Sequence, residues 1–260
     1  MKNYMIVLVM FSTIVFGMTN MPVKKIIRPK TAKEFAYTAV KLINSEHSAG
    51  GSGVILSSEV NRSIVLTNRH VCEILTKGGV IIRESEKYRI ESVKISRNHD
   101  LCLVKTRNNL NVNTVIAEKA PELYADATIS GFPALLPHVT TRGNFSEHYP
   151  ITLPAGMREC TPEDIRRSLL RRDVETLLIC SIFNTLPAPG DAIDSQLITA
   201  LIMGGSSGSG IFNADGEISA LVFAGFADGG LSFGFAVPHK YIKDFVKIES
   251  NNMPWTLVQE

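Results

Sequence analysis

The feature that most constrains this chain is a long series of short, β-branched runs separated by turn residues. Gly53–Leu56 (GVIL), Ser63–Thr67 (SIVLT), Val80–Glu84 (VIIRE), Lys87–Ser96 (KYRIESVKIS) and Leu101–Lys105 (LCLVK) form a first set. A second set comprises ATISGF (127–132), HVTTRGNF (138–145), TLLICSIF (176–183), QLITALI (196–202), EISALVFAGF (217–226) and LSFGFAV (231–237). Such runs read as strands, and without long helices between them a doubly wound parallel sheet is excluded. They predict paired antiparallel barrels or a sandwich. Within 87–96 the apolar parity slips between Ile90 and Val93, which predicts a bulge.

Helical signals are few. Thr31-x-x-Glu34 is a capping box, so a short helix giving way to a strand is expected over 31–43. After Pro238, Tyr241, Ile242, Phe245 and Val246 share one face of a closing helix. TPEDIRRSLLRR (161–172) has Thr161 as cap, Pro162 at N1 and acids in the first turn. It interrupts the second strand series and reads as an insertion spanning about 147–195; its arginines form a solvated face rather than an anion site. The expected organisation is 1–20 signal peptide or membrane anchor, 21–37 N-terminal extension, 38–110 first barrel, 111–124 connection, 125–238 second barrel, and 239–260 helix and tail.

Residues 5–18 are uncharged and apolar, preceded by Lys2. That is short for a membrane span, which needs about 20 residues, and suits a signal-peptide core. Lys24, Lys25, Arg28 and Lys30 follow at once and resist translocation, so a retained membrane anchor is the alternative to export. With a net charge of +2 the chain carries no general signal for nucleic acid. Cys72, Cys102, Cys160 and Cys180 contain no CxxC pair and the histidines no HxxxH, so neither metal nor cofactor is expected. Four thiols allow three complete disulfide pairings or none, and both readings stay open.

Three pieces then stand out together: VLTNRHVC, a strand running into a turn with His70; RNHDLCLVK, with Asp100 just before a strand; and LIMGGSSGSGI, a glycine-rich turn. Taken singly, they are a turn histidine, a capping aspartate and a loop. In the order His, Asp, Ser, 30 and then 107 residues apart in an all-β chain, they match what acyl transfer needs. A serine hydroxyl attacks well only when an imidazole takes its proton, and a carboxylate fixes the imidazole tautomer. Glycines let backbone N–H groups point at a developing oxyanion, with Gly205 and Ser207 as the expected donors. Of three serines only Ser207 fits Gly-x-Ser-Gly, so it is the expected nucleophile. The Gly-x-Ser-x-Gly elbow and the P-loop both fail here.

At these residues, GSGVI…VLTNRHV…HDLCLVK…GGSSGSGIFNADGEISAL…SFGFAVPHKYIKDFV, the chain resembles the chymotrypsin-fold (trypsin-like) serine proteases, most of all the Deg (high-temperature-requirement) branch. The resemblance implies an all-β fold of two six-stranded antiparallel Greek-key barrels with the site in the cleft between them, a C-terminal helix, and a helical insertion in the second barrel. It also implies His70 as general base, Asp100 as orienting acid and Ser207 as nucleophile. Only about 20 residues follow Pro238, so capture of substrate through a PDZ domain is not expected. Ser206 occupies the place of the aspartate used in trypsin-type zymogen activation, and no such activation is expected. By the same resemblance the S1 pocket has its floor near Leu201 and its walls at Val222, Phe223 and Ala224, with no acid or histidine to select a charged side chain. The expected function is therefore a serine endopeptidase acting on polypeptides with an apolar P1 preference. A catalytically silent peptide-binding or chaperone-like protein on the same fold is the alternative.

Overall fold

The computed structural model describes residues 26–152, 163, 167, 192–228 and 231–258. The helix expected at 161–172 (but for 163 and 167), the strand expected at 176–183, the apolar run 5–18, Cys160 and Cys180 lie outside the described residues. Helix α1 (Ala32–Thr38) starts at Thr31, whose side chain accepts from the Glu34 N–H while the Glu34 carboxylate accepts from the Thr31 N–H. The chain then passes directly into strand β1 (Ala39–Asn44), as the capping box and the β-branched run after it dictate.

The first barrel contains β1, β2 (Gly50–Glu59), β3 (Arg62–Thr67), β4 (Gly79–Arg83), β5 (Glu86–Ile95) and β6 (Cys102–Thr106). All pairings are antiparallel in the order β5-β4-β1-β2-β3-β6, and β5 pairs with β6 to close it. The register of that closing pair shifts between Ile90 and Ser92, which is the bulge the slipped parity called for. Val40, Leu42, Ile55, Val65, Ile81 and Val104 fill the interior.

The second barrel is a closed ladder β10-β11-β12-β9-β8-β7. Its strands are β7 (Asp126–Gly131), β8 (Val139–Thr152), β9 (Ala192–Thr199), β10 (Gly210–Phe212), β11 (Ile218–Asp228) and β12 (Leu231–Pro238). Ala127, Ile129, Phe145, Ile198, Ile211 and Val222 form its core. β9 stops at Thr199, so Leu201 and Ile202, expected in a strand, belong to the irregular segment that leads to the serine turn.

A third apolar layer joins the barrels. Val54, Leu66 and Leu103 of the first meet Phe212, Leu221 and Phe235 of the second. Helix α3 (His239–Asp244) and the turns after it bring Ile242 and Phe245 into the same layer. Each fully buried side chain of this size contributes about 1.5–3 kcal/mol, so the layer holds the two barrels in one arrangement. β13 (Thr256–Leu257) adds to the outer edge of β5. The molecule is all-β with two six-stranded antiparallel barrels and a C-terminal helix: the chymotrypsin-like fold.

Candidate active site

His70 does not sit in an open turn. It is the second residue of helix α2 (Arg69–Leu75). The helix forms because Val71, Cys72 and Leu75 bury one face against the first barrel, while Asn68 stays extended at its start. Seven residues carry too little periodicity to announce a helix in sequence. Asn68 donates through Nδ2 to the Asp100 carbonyl oxygen at 2.9 Å, fixing the loop before β6 to the start of α2.

Asp100 is buried, and both its oxygens go to one residue. Oδ1 accepts the His70 backbone N–H at 3.1 Å, and Oδ2 lies 2.8 Å from His70 Nδ1. With the proton on Nδ1 the ring donates to Oδ2, and Nε2 is left as an acceptor. The two-point contact fixes both the position and the tautomer of the imidazole. Two residues beyond each partner, Cys72 and Cys102 are joined by a disulfide. The cysteines have the same 30-residue separation as His70 and Asp100.

The serine turn is built from both barrels. Gly205 and Gly208 have φ of +85° and +86°, and a Cβ on Gly208 would overlap the Ser52 carbonyl oxygen. Ser206 N–H donates to Met203 O at 2.9 Å, Ser209 N–H to Ser206 O at 2.9 Å, and Gly208 N–H to Val222 O at 2.8 Å. Ser52 of β2 grips the turn from the other side: its N–H donates to Ser207 O at 2.7 Å and its hydroxyl to Gly205 O at 2.8 Å. A third support comes after β7, where Ala134 N–H donates to Gly204 O from a turn whose Ala134 and Leu135 hold φ of 50° and 54°. Non-glycine residues there cost about 1–3 kcal/mol each and persist where their surroundings over-determine them.

Because the Gly204–Gly205 peptide is planar and trans, an anchored Gly204 oxygen turns the Gly205 N–H away from the 132–136 turn. Among the described residues neither the Gly205 N–H nor the Ser207 N–H makes a hydrogen bond. Of the three serines, Ser206 and Ser209 are buried, and only Ser207 reaches solvent. Its hydroxyl donates to the Phe223 carbonyl oxygen at 3.2 Å. The turn and α2 converge on Gly51, where a Cβ would stand 2.7 Å from Val71 Cγ2 and 2.8 Å from the Ser207 carbonyl oxygen. Val71, the residue after His70, and the Ser207 carbonyl oxygen thus meet over Gly51 of the first barrel.

The side chains expected around S1 are placed differently from one another. Leu201 is 54% exposed, at the rim. Val222 is in the core of the second barrel, while Phe223 and Ala224 are buried in the layer between barrels. Among the described residues no cluster of three or more His, Cys, Asp or Glu could hold a metal ion. Two contributors to the serine turn were not foreseen in sequence: Ser52 and the Phe223 carbonyl. A backbone oxygen leaves no trace in sequence, and Ser52 reads as one more polar residue in a strand.

The profile of the trypsin-like peptidase domain family matches residues 51–221. Among solved structures, an inactive form of Rv3671c from M. tuberculosis H37Rv, carrying a serine-to-alanine substitution, superposes with a TM-score of 0.63. The two are 17% identical over 85% of this chain and 91% of that one. The active form of Rv3671c gives a TM-score of 0.58 at 17% identity, over 94% of each chain. The HtrA-type protease AlgW, solved as a serine-to-alanine variant with a tripeptide, gives 0.56 at 19% identity, over 82% of this chain and 62% of that one. No curated protein sequence shows significant similarity to the chain. The chain belongs to the trypsin-like peptidase domain family.

Proposed function

We propose that the chain cleaves polypeptides by acyl transfer to Ser207, with His70 as general base, Asp100 as the group that orients it, and the Gly205 and Ser207 N–H groups as the oxyanion hole. The observation that carries this reading is the two-point grip of Asp100 on His70, taken with a glycine turn in which Ser207 is the one serine that reaches solvent. In the first step Ser207 Oγ attacks the scissile carbonyl carbon and its proton passes to His70 Nε2. The carbonyl oxygen takes up the electron pair and is met by the two free N–H groups. On collapse the His70 proton goes to the leaving amine, giving an acyl-serine that water hydrolyses by the same sequence.

The Ser207 hydroxyl now points at Phe223 O. A rotation about its Cα–Cβ bond turns it towards the imidazole, and an N–H of a bound peptide can take over the Phe223 oxygen. That oxygen is available because the edge of β11 beyond Val222 faces the serine turn rather than β10, whose pairing ends at Gly210 with Leu221. An extended peptide laid along this edge places a carbonyl beside Ser207. The apolar rim at Leu201 and Met203 supports an uncharged P1 residue.

A silent peptide-binding protein is the second reading, favoured by one observation: the Ser207 hydroxyl is engaged with Phe223 O and not with His70. Cleavage of an unfolded protein such as reduced, alkylated casein separates the two. Wild type cuts and Ser207→Ala and His70→Ala do not if the chain is a peptidase; intact casein with a folded wild type supports the binding module. We also propose export or membrane anchoring through residues 5–18. The Cys72–Cys102 disulfide supports an oxidising compartment.

A further inference from the structure

Gly225 of β11 and Gly234 of β12 lie directly opposite each other in the ladder. Two facing glycines leave a slot in the sheet that neither fills. Ile202 fills it. A Cβ on Gly225 would overlap Ile202 Cβ and Cγ2, and one on Gly234 would stand 2.7 Å from Ile202 Cγ1. Ile202 is 3% exposed, although its neighbours Leu201 and Met203 are 54% and 47% exposed. Between the exposed Leu201 and Met203, Ile202 turns inward.

Its position is fixed by Ser232 of β12. The Ser232 hydroxyl donates to Ala200 O at 2.6 Å and accepts the Ile202 N–H at 3.3 Å. The segment is therefore stitched to the strand that carries Gly234, with the isoleucine held over the glycine pair. The slot also adjoins the reacting group: Phe223, whose oxygen holds the Ser207 hydroxyl, is two residues before Gly225. Side chains of a strand stand perpendicular to the sheet and alternate between its faces. A peptide along the β11 edge with its carbonyl at Ser207 turns the adjacent side chain towards the glycine pair.

We infer that Ile202 is a built-in plug that makes this slot shallow and restricts the residue on the acyl side of the cleaved bond to Gly, Ala or Ser size. The inference rests on Ser207 acting as nucleophile, and it deepens that reading by naming Ile202 and Ser232 as specificity-determining residues. A pocket that accepts or rejects single methylenes discriminates about 10- to 200-fold.

The test is P1 profiling with a peptide amide library on wild type, Ile202→Ala, Ile202→Val and Ser232→Ala, with fluorophosphonate labelling of wild type in parallel. Wild type should cleave after Ala at least about tenfold faster, in kcat/KM, than after Leu or Phe. Ile202→Ala should raise cleavage after Leu or Phe by about tenfold or more. Ile202→Val, which keeps the core filled, should shift the profile the same way by less, and Ser232→Ala likewise. A wild type that labels and prefers Leu or Phe overturns the plug while the peptidase reading stands, as does a profile unmoved by both Ile202→Val and Ser232→Ala. A folded wild type that neither labels nor cleaves overturns the nucleophile assignment and the plug with it.

Discussion

The Ser52 hydroxyl donates to the Gly205 carbonyl oxygen at 2.8 Å, so a strand of the first barrel holds the turn that carries the serine of the second. The Ser52 Oγ also accepts the Phe132 N–H at 2.9 Å, and one buried hydroxyl thereby ties β2 to the serine turn and to the turn after β7.

Ser52→Ala removes that tie. It leaves the buried Phe132 N–H without an acceptor, at a cost of about 1–3 kcal/mol. It also frees the Gly205–Ser206 peptide next to a proposed oxyanion donor. The expected result is a kcat lower by about 10- to 100-fold, less than deletion of a donor outright, with KM little changed. Steady-state kinetics with a thermal melt separates the positioning effect from the stability effect.

Asp100→Asn keeps the shape of the side chain and changes what it asks of the imidazole. An amide nitrogen at the Oδ2 position donates towards Nδ1 and favours the proton on Nε2, the wrong tautomer for a base facing the cleft. Activity at neutral pH should fall by about 10⁴-fold, with circular dichroism and melting temperature close to wild type. A loss of tenfold or less would contradict the assigned role.

The Cys72–Cys102 disulfide closes a loop of 30 residues that contains Asp100 and begins two residues after His70. By chain entropy such a link is worth about 3–4 kcal/mol. Cys72→Ala/Cys102→Ala, or wild type in reductant after unfolding and refolding, should melt lower by about 10 °C. Because each cysteine lies two residues beyond a proposed triad member, kcat should fall as well. Differential scanning calorimetry and casein cleavage on the same samples measure both.

Asp194, early in β9, collects Lys240 Nζ at 2.6 Å, His148 Nδ1 at 3.1 Å and the Tyr241 hydroxyl at 3.2 Å. Partial burial pushes its carboxyl up, but the hydrogen bonds from Lys240 and His148 outweigh this and leave it below the ordinary 3.8. A depressed folded value gives stability that is complete above the unfolded value and disappears as pH falls through the folded one. Lys240 is raised by the hydrogen bond to Asp194, so its share is complete below 10.5 and is lost as pH rises through the raised value. The group is largely solvated, so Asp194→Asn should cost about 1 kcal/mol or less at neutral pH. Urea unfolding should show that difference closing as the pH falls below 3.8.

Much of the fold was legible because strands here are written in β-branched residues at alternating positions. Leu66, Val104 and Val237 could be placed in strands from their neighbours alone. β10 was not, since Gly210–Phe212 is too short to show a period and lies inside a run of glycine and serine. Helix α2 was hidden for a similar reason: Val71, Cys72 and Leu75 are recognisable as one face only once the barrel they cover exists. Residue type and order were enough to single out His70, Asp100 and Ser207, and the first two do meet in the structure. Ile202 could not, because an apolar residue in an apolar run says nothing about two glycines that meet much later in the chain.

The most direct measurement is the site of covalent capture by a fluorophosphonate, mapped by peptide mass spectrometry on the folded protein. The account predicts a single adduct on Ser207, absent in His70→Ala. A folded protein that forms no adduct, or forms one at Ser206 or Ser209, contradicts it.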